Sequence, residues 1–195
     1  LTVTKMNLTG GHPTVICDND GWLRLGKVEF NNSNTADGTL IASRNLGSID
    51  ISGNFSVATA KKATIEILGG GAGIGVSNGA ITLGNGSADT LTIRLKPVAS
   101  WVSGSARVTT KTSNKAATLK ANVKFVVDLA DVTDEMVGKR LPILSCTGTA
   151  SYALPDKKNV ERVNNGNRYV VSFSKEGKVF YMTVDNGPGL MLLIK

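Results

Sequence analysis

The sequence predicts an all-β fold in which short strands wind into a parallel solenoid. Three observations support this prediction: apolar pairs recur at a nearly constant interval, three such pairs make up each repeat, and turn-forming residues stand between the pairs. The 195-residue chain holds 22 glycines and is 41% hydrophobic and 19% charged. This composition is typical of an ordered fold with many turns and argues against disorder.

Four repeats occupy the first half of the chain and begin at residues 1, 23, 49 and 74, which gives intervals of 22, 26 and 25 residues. The first pairs are Leu1/Val3, Leu23/Leu25, Ile49/Ile51 and Ile74/Val76, and the second pairs are Met6/Leu8, Val28/Phe30, Phe55/Val57 and Ile81/Leu83. Alternation of period two buries one face of a strand. Equivalent pairs are therefore expected to stack about 4.8 Å apart in one dry column.

A third apolar pair completes each repeat and makes the winding three-sided. We place it at Val15/Cys17, Leu40/Ala42, Ile65/Ile67 and Leu91/Ile93. Corners are expected at residues 10–11, 18–21, 31–38, 69–73 and 84–87, where glycine, asparagine, aspartate or serine is frequent. Each winding would then bury its inward pairs against its neighbours, which no single winding can do alone.

The second half of the chain follows the repeat less closely. We expect Trp101 and Val102 to begin another winding, followed by Ala106/Val108. Next we predict one strand over 119–129 and a helical turn over 131–138, which Asp131 or Thr133 caps and Gly138 ends. A strand over 141–145 follows. The chain then forms a hairpin of 168–173 and 178–184 around a turn at 174–177, and a last strand over 189–194. This organisation predicts one continuous domain, with solenoid windings in 1–118 and irregular C-terminal windings plus a capping hairpin in 119–195.

Residues 47–57 (Gly-Ser-Ile-Asp-Ile-Ser-Gly-Asn-Phe-Ser-Val) and 73–85 (Gly-Ile-Gly-Val-Ser-Asn-Gly-Ala-Ile-Thr-Leu-Gly-Asn) show the repeat most clearly. They resemble the right-handed parallel β-helices of the pectin-lyase-like type, in particular the passenger repeats of bacterial autotransporters and surface adhesins. The resemblance covers roughly the first half of the chain and lies in composition and period. It implies a right-handed winding and an extracellular or cell-surface location, and it identifies a scaffold rather than an activity.

Charge, apolar run length and cysteine content limit which partners and cross-links are expected. The net charge is +7, but the basic residues are scattered with few aromatic residues between them, which argues against nucleic acid. The apolar run at 190–194 is too short to span a bilayer, so no membrane insertion of this fragment is expected. Cys17 and Cys146 are either two core thiols or a disulfide, which would require two distant segments to touch. The oligomeric state is left open.

The stacking hypothesis allows a direct search for chemistry on the outward positions. The expected ladders are Thr2, Arg24, Asp50 and Gly75 on the first strand, Asn7, Glu29, Ser56 and Thr82 on the second, and Ile16, Ile41, Glu66 and Thr92 on the third. No ladder holds the paired carboxylates of a glycoside hydrolase, and no ligand set of a Ca²⁺-dependent lyase is visible. Arg24 above Asp50 is expected to be a surface ion pair, and Ile16 with Ile41 an apolar spot for contact.

Other local patterns are better explained as structure than as sites. The stretch 21–27 resembles a phosphate loop, but Val28 stands at the position where such a loop needs Ser or Thr. The others are the turn at 18–21, the glycine-rich corner 69–75, His12 in a Gly-Gly-His-Pro turn, and the acidic group Asp128, Asp131, Asp134 and Glu135. We therefore predict no catalytic, cofactor-binding or metal-binding residue and no cofactor.

These observations favour a noncatalytic secreted or surface-displayed bacterial solenoid, adhesin-like or structural, with glycans or cell-surface polymers as partners. Two alternatives remain: a polysaccharide-active enzyme or a fragment of one, and a segment of a phage fibre. Because the chain opens at Leu1 within a strand pattern, we also expect it to be part of a longer protein with further windings upstream.

Overall fold

The computed structural model of the chain describes residues 2–3, 15–18, 21–26, 28–30, 38–57, 62–85, 91–165 and 168–188. Within these ranges the chain forms β-strands in three sheets, three short 3-10 turns and no α-helix. The 3-10 turns are Ala99–Trp101, Asp134–Met136 and Lys157–Asn159. The prediction of an all-β chain is confirmed.

The strands are short, and most contain three to six residues. In chain order they are β1 (Thr2–Val3), β2 (Val15–Cys17), β3 (Trp22–Leu25), β4 (Val28–Phe30), β5 (Gly38–Arg44), β6 (Ser48–Ile51), β7 (Phe55–Val57), β8 (Ala63–Leu68), β9 (Gly73–Val76), β10 (Ile81–Leu83), β11 (Leu91–Lys96), β12 (Val108–Thr110), β13 (Ala117–Leu119), β14 (Lys124–Asp128), β15 (Arg140–Ser145), β16 (Ala150–Tyr152), β17 (Val160–Val163), β18 (Tyr169–Glu176) and β19 (Val179–Asn186).

The strand order shows how the chain winds. Sheet 1 has the order β1-β3-β6-β9-β12-β15-β19-β18, sheet 2 the order β4-β7-β10-β13-β16, and sheet 3 the order β2-β5-β8-β11-β14-β17. From β3 to β17 the chain visits the three sheets in turn five times, and each strand pairs in parallel with the strand three positions away. This arrangement of parallel sheets is compatible with a β-solenoid.

The inward residues form the column that the repeat predicts. In sheet 1, Leu23 is in register with Ile49 and Ile49 with Ile74, and all three are buried. The column continues through Val108 and Leu144. The other two sheets contribute equivalent columns, so one continuous apolar core runs through the stack.

Two of the third pairs required correction. In the second repeat Ile41 and Ser43 are the residues in register with Ile65 and Ile67, one position beyond the predicted pair of Leu40 and Ala42, because a bulge between Thr39 and Ile41 shifts the register by one residue. In the fourth repeat the face is as predicted, but Ile93 and Leu95 are the residues in register with the Ile65 and Ile67 pair, while Leu91 aligns with Ala63.

Two predictions for the second half were also wrong. The winding after β11 begins at Val108, because Trp101 lies in the 3-10 turn at the corner, buried and donating from Nε1 to Gly69 O at 2.8 Å. The single strand expected over 119–129 is two strands, β13 and β14, in different sheets. Leu119 and Val123 stay inward on either side of the corner between them, which is why the alternation looked unbroken.

Three predictions for the second half are confirmed. The helical turn is present with Thr133 at its N-cap position, although its side chain makes no capping hydrogen bond, and Gly138 follows with a φ of +72°. The strand over 141–145 is β15, and the hairpin is β18 with β19. Gly177 occupies the hairpin turn with a φ of +54°, a region that favours glycine. The strand expected over 189–194 lies outside the described residues.

The hairpin reverses the strand direction at the C-terminal end of sheet 1, since β19 pairs antiparallel with β15. Phe180 of β19 lies 5.9 Å from Phe125 of sheet 3 and 6.0 Å from Tyr152 of sheet 2, measured between ring centroids. One side chain of the hairpin therefore contacts both of the other sheets.

Candidate functional site

The outer face of sheet 1 is ordered by the same register as the core. Arg24, Asp50 and Gly75 form one outward ladder, which continues through Thr109 and Ser145. This ladder is the one that the sequence predicts. A second outward ladder beside it aligns Trp22 with Ser48 and Gly73.

A groove crosses this face where the side chains are smallest. Trp22, Ser48, Gly73, Gly75 and Lys111 are among the residues that line it. Its volume of about 170 Å³ is below the 300–1,000 Å³ that is usual for enclosed small-molecule pockets. The groove therefore suits part of an extended ligand laid across the surface better than an enclosed compound.

Charged and aromatic side chains border this groove. Lys111 forms an ion pair with Asp50 over Gly75, two windings away, and a Cβ at Gly75 would lie 2.3 Å from Lys111 Cε. The expected pairing of Arg24 with Asp50 is therefore corrected: the Arg24 guanidinium lies 4.6 Å from the centroid of the Trp22 ring. Trp22 remains 50% exposed.

Arg107 borders the groove but is held in place by the fold. Its guanidinium lies 5.3 Å from the centroid of the Trp101 ring and donates to Gly70 O at 3.1 Å and to Ser105 O. Burial lowers the pKa of Arg107 from its ordinary value. We therefore assign it a structural role at this corner.

The outer face of sheet 3 holds a buried carboxylate. Glu66 is 5% exposed and accepts hydrogen bonds from Nε of Arg44 at 2.9 Å and from its Nη2, while Arg94 Nη1 lies 3.9 Å away. Two arginines from the adjacent strands therefore compensate the charge of one glutamate, an arrangement that stabilises a buried carboxylate.

The observed ladder on sheet 3 differs from the predicted one. Its members are Ile16, Ala42, Glu66, Arg94, Val126 and Glu161. Ile41 is fully buried, so the expected apolar spot reduces to Ile16, which is 48% exposed. In the four windings that the prediction covered, this ladder holds one carboxylate, Glu66, and a second one, Glu161, follows in a later winding. Three strand spacings separate them, about 14 Å, whereas glycoside hydrolysis needs about 5–9.5 Å.

The acidic residues near the corners make structural contacts. Asp18 accepts from Asn45 Nδ2 at 2.6 Å and its carbonyl closes a turn with Gly21 N at 3.1 Å. Asp131 pairs with Lys96 at 3.0 Å, and this hydrogen bond raises the pKa of Lys96. No group of three metal-ligating side chains occurs in the part of the chain that the structure describes. His12 and residues 19–20 lie outside that part.

The two cysteines are buried and not bonded to each other. Cys17 ends β2 and lies a little more than four windings before Cys146, which follows β15. At about 4.8 Å per strand the separation along the stack is about 21 Å, far beyond the roughly 7 Å limit between Cα atoms for a disulfide. The disulfide alternative is therefore excluded. Cys17 Sγ donates to Ser48 O at 3.3 Å, and burial raises the pKa of its thiol.

The sheet 1 groove could be predicted in part from the sequence. Trp22 precedes the inward Leu23, so alternation places it outward, and Gly73 and Gly75 flank the inward Ile74. What the sequence did not show is that these residues fall within two strand spacings of each other and that Lys111 reaches back to Asp50.

Among the described ranges, no helix has the length and apolar character needed to cross a bilayer. Comparison of the chain with protein-family models, with curated proteins and with solved structures found no match.

Proposed function

We propose that this chain is a noncatalytic, extracellular or surface-displayed β-solenoid of bacterial origin that offers its stacked outer faces to glycans or other cell-surface polymers. The observation that supports this most is the register of the outward ladders: five windings place outward residues at a fixed spacing, as in the ladder Arg24, Asp50, Gly75, Thr109 and Ser145. Outward residues in regular rows form an extended face, along which an extended polymer can bind.

We further propose that the winding is right-handed and that the β18–β19 hairpin caps the stack. Parallel strands joined by a crossover in the same sheet are right-handed in about 98% of cases. An open end of a parallel stack would expose unpaired strand edges and core side chains. The contacts of Phe180 with Phe125 and Tyr152 support a cap, since they join the hairpin to both other sheets.

The sheet 1 groove is the part of the surface that we propose for glycan contact. Trp22 offers an exposed aromatic ring, and aromatic rings supply a large apolar contact area with a polar handle. Ser48 and the Asp50–Lys111 pair supply hydrogen-bonding groups beside it. Gly73 carries no side chain, which allows a ligand to approach the backbone closely at that position.

Binding to a panel of immobilised neutral and acidic polysaccharides tests this proposal. We expect the chain to be retained on at least one polysaccharide and Trp22→Ala to weaken that retention at least tenfold. Leu46→Ala is the matched control, because Leu46 is also an exposed apolar residue, 60% accessible, and lies outside the groove. Retention on none of the panel, or equal loss in both variants, would contradict the assignment of the groove.

A separate assay tests the absence of catalysis. The chain is incubated with the same polysaccharides, with and without Ca²⁺, and new reducing or unsaturated ends are measured. We expect no product above a heat-denatured sample. Depolymerisation in either condition would replace this proposal with the enzyme alternative.

A further inference from the structure

The last strand of sheet 2 has one edge that no other strand pairs with. Within the described residues β16 ends this sheet and pairs on one side only, with β13. Thr149 O accepts a hydrogen bond from β13 at 3.0 Å, and Ala153 N donates to β13 at 2.9 Å. Because alternate residues of a parallel strand bond to opposite neighbours, Ala150 and Tyr152 direct their N–H and C=O groups to the free side. Such an edge is a template for another strand.

Lys175 of the hairpin partly blocks this edge. Its Nζ donates to Tyr152 O at 2.8 Å, so one of the edge carbonyls is already bonded. A lysine on a strand edge is a known means of preventing further pairing. A carboxylate is a stronger acceptor for an ammonium group than a neutral carbonyl is. A partner that brings a carboxylate can therefore draw Lys175 away and free Tyr152 O to accept an N–H.

A groove of about 930 Å³ lies beside β16, and its surroundings are basic. All residues from 150 to 153 line it together with Lys120 and Lys175, and none of its described lining residues is acidic. In the part of the chain that the structure describes, neither lysine pairs with a carboxylate, since Glu176 on the hairpin pairs with Arg140. The volume is sufficient for a ligand, and the uncompensated charge favours an anionic one.

We propose that an extended acidic segment of another protein binds to the free edge of β16 as an added strand, with its carboxylates on Lys120 and Lys175. The edge offers N–H and C=O groups side by side, which another peptide backbone complements, and this favours a peptide over a glycan. Lys175 supplies selectivity, because a neutral segment gives its ammonium group no better acceptor than Tyr152 O. This interaction goes beyond glycan binding at the sheet 1 groove and does not depend on it.

Binding of two matched peptides to the full chain tests the charge selection. One is a fluorescently labelled, end-blocked peptide in which glutamate and threonine alternate, and the other has glutamine in place of each glutamate. In fluorescence anisotropy we expect the acidic peptide to bind about tenfold more tightly. Lys120→Met should weaken its binding about tenfold, whereas Lys139→Met, which removes the same charge at an exposed lysine outside the groove, should change it less than about twofold.

Substitution of Lys175 separates selection from simple attraction. Lys175→Met should weaken binding of the acidic peptide and strengthen binding of the neutral one, because Tyr152 O is then free for pairing. Partial unfolding would not move the two affinities in opposite directions. Lys175→Arg keeps the charge and should keep the preference for the acidic peptide.

Amide hydrogen exchange measured by NMR tests the position of the added strand. When the acidic peptide is bound, the amides of Ala150 and Tyr152 should exchange about tenfold more slowly than in the free chain, since a bonded edge amide is protected from water.

Four results would overturn the proposal. They are equal affinity for the two peptides, equal weakening by Lys120→Met and Lys139→Met, unchanged exchange of both edge amides in the bound state, and displacement of the peptide by an equally tight dextran sulfate oligomer. The last result would mean that the groove binds polyanions in general rather than an acidic strand.

Discussion

Substitution of Gly79 tests how closely the windings are stacked. Gly79 lies in the corner between β9 and β10, and an added Cβ would lie 2.2 Å from the backbone C and O atoms of Gly53 in the preceding winding. At Gly75 an added Cβ would be almost as close to a neighbour, 2.3 Å, but that neighbour is the flexible end of Lys111. Neither glycine has a positive φ, so the backbone conformation accepts alanine at both positions. The two Gly→Ala substitutions therefore differ mainly in which neighbouring atoms must move to make room for the new Cβ.

The expected cost follows from the contacts that hold the two corners together. A Cβ needs about 3.4 Å, so the corners must separate by about 1 Å. That movement strains the bond from Ala80 N to Asn54 Oδ1 at 3.0 Å and the bond from Phe55 N to Ala80 O at 2.9 Å. Two weakened hydrogen bonds at about 0.5–1.5 kcal/mol each and an overpacking penalty of about 1–3 kcal/mol give a cost of about 3 kcal/mol for Gly79→Ala.

Gly75→Ala should cost less than about 1 kcal/mol, because Lys111 can swing into solvent and the exposed ion pair it leaves is weak. The gain from restricting the unfolded chain is the same for both variants and cancels in the comparison. The measurement is urea unfolding of both variants followed by circular dichroism, with thermal melts in parallel, in which Gly79→Ala should lower Tm by about 6–12 °C. Equal free energies of unfolding for the two variants would refute the close stacking at this corner.

Further predictions concern the hairpin, a buried phenol and the buried carboxylate. Phe180→Ala should lower the free energy of unfolding by about 3–5 kcal/mol, and Tyr181→Ala, on the opposite face of β19, by less than half as much in the same urea assay. Burial raises the pKa of Tyr152, and the neighbouring Cys146 thiol raises it further. Above pH 10 the unfolded chain therefore loses a proton that the folded chain keeps. Stability should therefore fall as pH rises above 10, by at most about 1.4 kcal/mol per unit from this group, and Tyr152→Phe should show a shallower decline in a pH series of unfolding curves. Glu66→Gln should lower the free energy of unfolding by about 1–2 kcal/mol, because the hydrogen bonds from Arg44 become weaker. In a double-mutant cycle, Glu66→Gln combined with Arg44→Met should lower it by less than the sum of the two single substitutions.

The repeat in the sequence predicted the register of the first and second pairs in the second, third and fourth windings, because period-two pairs define a buried face without reference to distant contacts. Leu1, Met6 and Leu8 of the first winding lie outside the described residues. The prediction failed where the register depends on a local irregularity. The bulge between Thr39 and Ile41 leaves no mark in the pattern, since Leu40 and Ala42 form an apolar pair in the sequence just as Ile65 and Ile67 do.

Buried polar residues interrupt the pattern of apolar pairs. Ser43 and Thr110 are buried, and both are satisfied by hydrogen bonds: Ser43 Oγ accepts from Gly73 N at 2.7 Å, and Thr110 Oγ1 accepts from Thr147 N at 2.9 Å. A search for apolar pairs passes over such residues. The winding that begins at Val108 was therefore assigned to Trp101, the nearest large apolar residue.

The outer surface was less predictable than the core. Its ladders follow from the core register, and the sequence identified Arg24, Asp50 and Gly75 as neighbours correctly. Which charges meet depends on how far long side chains reach. Lys111 extends across Gly75 to Asp50, and Arg44 folds back on Glu66, and neither contact follows from strand spacing alone.

The number of chain residues between stacked positions differs from one winding to the next, and this difference indicates how the chain tolerates insertions. Ile49 pairs with Ile74, 25 residues later, whereas Val108 pairs with Leu144, 36 residues later. The entropy of closing a loop grows only with the logarithm of its length, so the longer excursion costs about 0.3 kcal/mol more. Such a small cost explains how the later windings accommodate the Ala99–Trp101 and Asp134–Met136 turns and still return to register. Corners of this kind are where extra segments can be inserted into the chain without disturbing the stack.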